Sequence, residues 1–484
     1  MNKTCILVVD IGTSKVHANC IDPVDGGLLA NAAVAFPWQT PAAGWVEIHP
    51  EDIWQAAQEA CRQMLERAGQ GLEPVALTFS WFGANLVALD ARGEAVYPLL
   101  VSFDARAEQE AAILQREIAP ERAALVGRGG LNAQSNPAKL LWLKRHRPEA
   151  FSSIACVGTI QQYILRKLGL PLCYERSMAA TLQLREVSGQ WMTDLLSACG
   201  LSPHQVDYPC YEGDQIVGTV SSFGSVPLGG QVPVLLGGHD CIVSQLGCGV
   251  GPTPGGVLGE VSGTYDLMGF FRTGCTAPDG TPIQDCIDAP MAGVYSHMHG
   301  GPAGAMLSEA VERLWGKCDG PLLTQLFGAA RFDGTGGGLW LRPDWESIQT
   351  DPNALARFGA QRVFESLVEQ LTLDLEESYR YLCHRHGGPF QVMRVGGGAA
   401  RSESWLRLKA DVFGLRVERV ANQEVSSVGA AIIAAVTLGI HESYDQALAC
   451  MTKAEVGFDP DPARRQAYGQ QLCQARQGRK GAEK

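Results

Sequence analysis

The 484-residue chain has no Cys-x-x-Cys pair, no excess of positive charge, and no apolar run near the roughly 18 residues that a membrane-spanning helix needs. Each absence excludes something. Its 15 cysteines are odd in number and scattered, which suits reduced thiols packed as small apolar groups rather than disulfides or a zinc cluster. With 39 Lys and Arg against 51 Asp and Glu, the formal net charge is −12. That balance argues against broad binding to nucleic acid or to an anionic membrane. The first residues hold one lysine and a short apolar run that meets Asp10 at once, so no signal peptide and a cytoplasmic location are expected.

What is present describes an ordinary globular protein: 46% hydrophobic and 19% charged residues. The length favours two domains over one core. Glycine is abundant, at 56 residues, which suits many tight loops near a ligand.

The opening segment carries the most information. Ile6-Leu7-Val8-Val9 reads as a strand buried on both faces, followed by Asp10, Gly12, Thr13 and Ser14. Gly12 lets the chain turn tightly and lets an anion approach backbone N–H groups. Thr13 and Ser14 can donate to phosphate oxygens. Asp10 would repel a phosphate directly but can hold a hydrated Mg²⁺. Residues 16–22 read as a second strand, so the anion would sit in a hairpin turn, unlike a loop that enters a helix. An ordinary hairpin accounts for the same residues equally well.

Helical spacing predicts helices over 51–69, 138–147, 159–168 and 360–386. Strands are expected at 75–79 and 231–236, and a hairpin from Leu86–Asp90 and Ala95–Tyr97. A Gly/Pro-rich patch at 249–256 places a domain boundary, giving domains 1–248 and 249–484. The second half then repeats the opening logic: an apolar run, Ser262-Gly263-Thr264, and another strand. Val392–Val395 runs into Gly396-Gly397-Gly398-Ala399, with Ser402 as N-cap of a helix to Phe413. Such a glycine run lets a ligand approach the backbone. Small residues at Ser427–Ala431 suit tight helix–helix packing. His297 and His299 share a face if their segment is a strand, and a structural role is expected for them and for His146. The tail from Asp459 is polar and is expected to be partly disordered.

The order of hairpin loop, Asp104-x-Arg106, Gly237-Gly238-His239-Asp240, Ser262-Gly263-Thr264 and Gly397-Gly398-Ala399 resembles the FGGY carbohydrate kinases of the actin/hexokinase/Hsp70 superfamily. The resemblance implies an α/β fold: two ribonuclease-H-like domains with a cleft between them, an N-terminal sugar-binding domain and a C-terminal ATP-binding domain. It also implies ATP and Mg²⁺ as cofactors, a small sugar as substrate and, as in many relatives, a homodimer. Residue by residue, it implies Asp240 as catalytic base and Asp10 as the metal-associated acid. Gly12, Thr13, Ser14, Gly263 and Thr264 would face phosphate, and Gly397, Gly398 and Ala399 adenosine. Asn85, Asp104, Arg106 and Asp240 itself would contact sugar. Phe82–Asn85, Lys139–Lys144 and Ser262–Asp266 resemble segments of L-fuculokinases, although Asn85 replaces an Asp, and His17 and Lys15 also depart from the pattern. The expected reaction is ATP-dependent phosphorylation of a ketose hydroxyl. A xylulokinase-, rhamnulokinase- or polyol-kinase-like substrate is the alternative within the class. A silent sugar or nucleotide sensor, and a chaperone-like or filament-forming ATPase, are alternatives outside it.

Overall fold

A computed structural model describes residues 3–69, 71–126, 130–253, 255–275, 286–332 and 356–482, with side chains described up to 472. The chain forms two seven-stranded sheets. The first uses β1 (Lys3–Ile11), β2 (Lys15–Ile21), β3 (Leu28–Ala35), β4 (Leu72–Trp81), β5 (Ile216–Phe223), β6 (Val226–Leu235) and β7 (Gly238–His239). Their order is β5-β6-β4-β1-β2-β3, with β7 also on β4. The second uses β8 (Val257–Ser262), β9 (Asp266–Thr273), β10 (Cys286–Asp288), β11 (Val294–Gly301), β12 (Val392–Gly396), β13 (Arg416–Val420) and β14 (Ala454–Phe458). Their order is β10-β11-β9-β8-β12-β13-β14.

The two sheets share one plan. β1 pairs antiparallel with β2, β2 antiparallel with β3, and β1 parallel with β4. Likewise β8 pairs antiparallel with β9, β9 antiparallel with β11, and β8 parallel with β12. This is the duplicated ribonuclease-H-like arrangement of the actin/hexokinase fold.

The apolar run of β1 is continuous because both faces of the strand are covered. Cys5, Leu7 and Val9 enter the core beneath the Pro50–Ala68 helix, whose Ile53, Ala57, Ala60 and Met64 face the sheet. Ile6 and Val8 enter the other core, which holds helices Asp240–Gly247 and Val425–Thr437. The second of these helices lies in sequence between β13 and β14 of the second sheet yet packs against β1 and β4 of the first. The two helices cross with their backbones in contact. A Cβ on Gly247 would lie 1.9 Å from the Val425 carbonyl oxygen, and one on Gly429 would lie 1.8 Å from that of Val243. The small residues at 427–431 therefore serve helix packing, as expected.

Beneath the β8–β9 turn lies a fully buried charge cluster. Lys409 Nζ donates to Glu260 Oε1 and, at 3.1 Å, to Ser262 Oγ, with Asp266 at 3.5 Å. Burial pushes Glu260 up to about 7, against the pull of Lys409 and with the help of Asp266. A buried lysine is tolerated where carboxylates pair with it.

Two expectations are refined. Val87–Leu89 pairs antiparallel with Cys156–Gly158. The expected hairpin forms as well: Asp90 N–H donates to the Glu94 carbonyl and Val96 N–H to the Ala88 carbonyl, each at 2.9 Å, with Leu89 and Ala95 in an antiparallel bridge. The tail is also more ordered than expected: Pro462–Ala482 is a helix, and its Tyr468 is fully buried with the hydroxyl on Glu369 at 2.6 Å. Among the described residues, no helix is long and apolar enough to cross a membrane.

Gly429→Ala forces a Cβ into the Val243 carbonyl, and overpacking of this kind costs about 1–3 kcal/mol or more. The unfolding free energy of this variant should fall by that amount, seen as a lower urea midpoint. A midpoint equal to wild type would show that the helices can separate freely.

Candidate active site

The first loop forms as a hairpin. Gly12 N–H donates to the Lys15 carbonyl at 3.0 Å, and Thr13, Ser14 and Lys15 are exposed at its tip. Asp10, at the end of β1, accepts from Ser426 Oγ at 2.9 Å. His17 lies 3.6 Å from the Glu424 carboxylate, and Asn19 donates to Ser427 Oγ at 2.7 Å. Every one of these partners opens or precedes the 425–437 helix. The first loop is therefore registered on an element from the other half of the chain.

The second loop is also a hairpin turn, with Gly263 N–H donating to the Tyr265 carbonyl at 3.2 Å. Gly263, Thr264 and Tyr265 are exposed. The glycine run packs directly on this loop: Gly397 has φ +89°, and a Cβ there would lie 2.6 Å from the Ser262 carbonyl oxygen. Gly398 is exposed, with no atom near its would-be Cβ. A flat ligand can therefore lie against bare backbone at this point. Ser402 caps the Glu403–Phe413 helix by accepting from Trp405 N–H at 3.3 Å, and Gly414 ends it.

Asp240 opens the 240–247 helix directly after β7 and is 28% exposed. Gly237, at φ +68°, makes the turn that places it; a Cβ there would lie 1.8 Å from the Phe79 carbonyl oxygen. The backbone N–H of His239 donates to Ser177 Oγ at 3.0 Å. Ser177 Oγ in turn donates to Glu175, which is fully buried and also accepts from Ser177 and Met178 N–H at 2.9 Å each. Burial pushes Glu175 up to about 7, with nearby Asp288 adding to the shift and these hydrogen bonds opposing it. The His239 ring lies over Gly83, where a Cβ would be 1.9 Å from Nε2. Gly83 thus makes room for the histidine that precedes Asp240.

His239 and Cys241 line a cavity of about 520 Å³. The first half adds Ala84, Ser102, Asn132, Gln134, Ser135 and Gln183, and the second adds Leu267, Ile287, Met298, His299 and Tyr381. Arg176 bridges the halves beside it, reaching Asp288 of β10 at 2.5 Å. Only two non-glycine residues have positive φ among the described residues, Ala84 at 55° and Gln183 at 58°, and both line this cavity. Backbone strain of this kind collects at ligand sites.

Three expected sugar contacts are placed differently. Asn85 is fully buried; its Nδ2 donates to the Phe82 carbonyl at 2.6 Å and its Oδ1 accepts from Ile160 N–H at 2.8 Å. Asp104 and Arg106 form a bidentate pair at 2.8 Å with both side chains fully buried. Arg106 also reaches Glu47 at 2.6 Å and stacks on Trp45 at 4.4 Å. Lys139 donates to the Val101 carbonyl at 2.7 Å, and burial pulls it down to about 7 against the field of Asp104. The polar atoms of Asn85, Asp104 and Arg106 are engaged inside the protein: Asn85 ties the 82–85 turn to the Ile160 helix, and the Asp104–Arg106 pair braces the segment that carries Ser102. The residues that do reach the cavity, among them Gln134, Gln183, His299 and Tyr381, stand in no motif. His299 was visible as part of a same-face pair, and β11 does put it there. His297 is buried and stacked on Phe270, and His299 Nδ1 pairs with Ser378 Oγ at 2.8 Å.

Residues 5–247 match the N-terminal domain of the FGGY family of carbohydrate kinases, and residues 349–438 match its C-terminal domain. Xylulose kinase of Escherichia coli (strain K12) is 26% identical over 485 residues, covering 95% of each chain. Among solved structures, gluconate kinase from Lactobacillus acidophilus superposes with a TM-score of 0.81 at 17% identity, over 98% of each chain. Plasmodium falciparum glycerol kinase with ADP superposes at 0.79 with 16% identity, again over 98% of each. Two matching sheets, a cavity shared by both halves and a family match across half the chain lead to one conclusion: this protein belongs to the FGGY family of carbohydrate kinases.

Proposed function

We propose that this sugar kinase transfers the γ-phosphoryl group of ATP to a hydroxyl of a small, uncharged ketose, with Asp240 as general base. One observation carries the reading. Asp240 sits between two residues that line a cavity of about 520 Å³, and no lysine or arginine lines that cavity among the described residues. Its walls offer amides, hydroxyls and imidazoles, which match the hydroxyls of a neutral sugar. The carboxylate of a sugar acid would lack a cation there. A pentulose such as xylulose stands ahead of L-fuculose, because the xylulose kinase relative covers nearly the whole chain.

Phosphoryl transfer has a loose transition state, so alignment and charge neutralisation do most of the work. The sugar hydroxyl oxygen forms the new bond to the γ-phosphorus as the bond to the ADP oxygen breaks, and Asp240 takes the hydroxyl proton. Backbone N–H groups and hydroxyls of Gly12, Thr13, Ser14, Gly263 and Thr264 would face phosphate oxygens. The bare backbone at Gly397, Gly398 and Ala399 would receive the adenosine. Asp10 offers the hard oxygen donor that suits Mg²⁺, and its Ser426 bond orients it. When bound, Mg²⁺ would neutralise phosphate charge. Domains 1–248 and 249–484 would close over both substrates and exclude water.

Asp240→Asn keeps the shape and removes the base. In an ADP-release assay over xylulose, ribulose, fuculose, rhamnulose, glycerol and gluconate, its kcat should fall by about a hundred- to ten-thousand-fold, with the ATP KM little changed. Normal turnover in that variant would refute the mechanism. In wild type, the preferred ketose should exceed gluconate in kcat/KM by about a hundredfold or more; a preference for gluconate would refute the uncharged substrate. Gly83→Ala should displace His239 and lower kcat by about a hundredfold while the fold survives, as judged by circular dichroism.

Glu175 gives a pH prediction. Its carboxyl is raised from 4.5 to about 7. Between these values the unfolded chain releases a proton that the folded chain keeps, so stability falls as pH rises through this window. The drop is on the order of 3 kcal/mol at most. Glu175→Gln should flatten the change in urea midpoint between about pH 5 and about pH 7.5. An unchanged slope would assign it to other groups.

A further inference from the structure

We propose that His239, Asp240 and Cys241 form a binding site for one thiophilic divalent cation, with zinc as the type, and that filling this site switches the kinase off. The inhibition rests on Asp240 being the base; the binding does not. One ligand atom from each residue lies within 4.8 Å of the others, and His239 Nε2 is 3.6 Å from Asp240 Oδ1. A tetrahedral zinc with bonds of about 2.0–2.3 Å holds its ligands roughly 3.5 Å apart, so the His239–Asp240 spacing already fits and side-chain rotation must close the rest. Among the described residues, no other trio of histidine, cysteine and carboxylate side chains meets this spacing.

The donor set decides which metal. An imidazole nitrogen, a carboxylate oxygen and a sulfur suit zinc and its neighbours, whereas Mg²⁺ demands oxygen. With neutral histidine, ionised aspartate and thiolate, the three ligands balance a doubly charged cation. Binding displaces the thiol proton to solvent. Three protein ligands leave one coordination position for water, as in open zinc sites, and His239 and Cys241 both face the cavity.

The backbone under the trio is held from several sides. Ser177 Oγ holds His239 N–H, and Cys241 N–H donates to Asp240 Oδ1 at 2.6 Å. Gly83 packs against the Nε2 and Cδ2 atoms of the imidazole and limits how far the ring can turn. The backbone that carries the ligands is thus fixed before binding, which lowers the cost of binding. A cation on Asp240 occupies the lone pair that would otherwise take the sugar proton.

The test is a Co²⁺ titration of the full-length protein, reduced with a phosphine and free of nucleotide and sugar. One equivalent should give a tetrahedral visible spectrum with a thiolate charge-transfer band, and Zn²⁺ should bleach it. Cys241→Ser should lose the band, and His239→Asn should weaken binding by about tenfold or more. Circular dichroism reports whether each variant is folded. In the wild-type ADP assay, Zn²⁺ should inhibit in proportion to occupancy, and a chelator should restore the rate. A band that persists in folded Cys241→Ser, or full activity with the site filled, overturns the proposal. Failure of the kinase reading has a separate sign: metal-free protein that forms no ADP with any sugar.

Discussion

The backbone contact between Gly247 and the 425–437 helix is the constraint on which the rest of the molecule depends. The helix that carries Gly247 begins at Asp240, and the helix that crosses it begins with the residues that hold the first loop. Ser426 bonds Asp10 at 2.9 Å, and Ser427 bonds Asn19 at 2.7 Å. Fixing the crossing therefore fixes the proposed base against the proposed metal-associated acid. Side chains larger than hydrogen at Gly247 or Gly429 would hold the helices apart, and both ends would lose register. Ile6 and Val8 of β1 lie in the same core as this pair of helices, so the core of the first sheet and the site share one support.

A second theme is how polar groups are divided between scaffold and ligand. The Asp104–Arg106 pair and the Lys409 cluster are sealed from solvent, with their charges paired internally. Buried ion pairs of this kind set geometry more than they add stability. The polar groups left to the cavity are amides, hydroxyls, thiols and imidazoles, on segments whose backbones depart from ordinary geometry at Ala84 and Gln183. Such strain persists only where the surroundings hold it. Here the surroundings include the Asn85 bonds to Phe82 and Ile160 on one side. On the other, Gln183 Oε1 accepts from Asn136 N–H at 3.4 Å.

Much of this could be read from the sequence, for identifiable reasons. The hairpin loops, the Glu403–Phe413 helix with its Ser402 cap, and the Ala360–His386 helix all follow local rules of periodicity, capping and glycine. Those rules are written within a few residues. The pairing of Val87–Leu89 with Cys156–Gly158 spans nearly seventy positions and leaves no local mark. The same holds for the cavity. Its Ser102, Gln183 and Tyr381 are brought together by the packing of two sheets, so no spacing announces them. Asp104 and Arg106 show the reverse failure. Two charges separated by one residue read as available, but the fold spends them on each other and on Glu47.

The most direct test of the central claim is a crystal structure with a non-hydrolysable ATP analogue, Mg²⁺ and the preferred ketose bound together. The account predicts the sugar in the cavity lined by His239, Gln134 and His299, with its reacting hydroxyl within hydrogen-bond distance of Asp240. The γ-phosphate should lie between the Gly12–Ser14 and Gly263–Thr264 turns. A sugar seated away from Asp240, or one that draws Asn85 and Arg106 out of their internal bonds to contact it, would contradict the account.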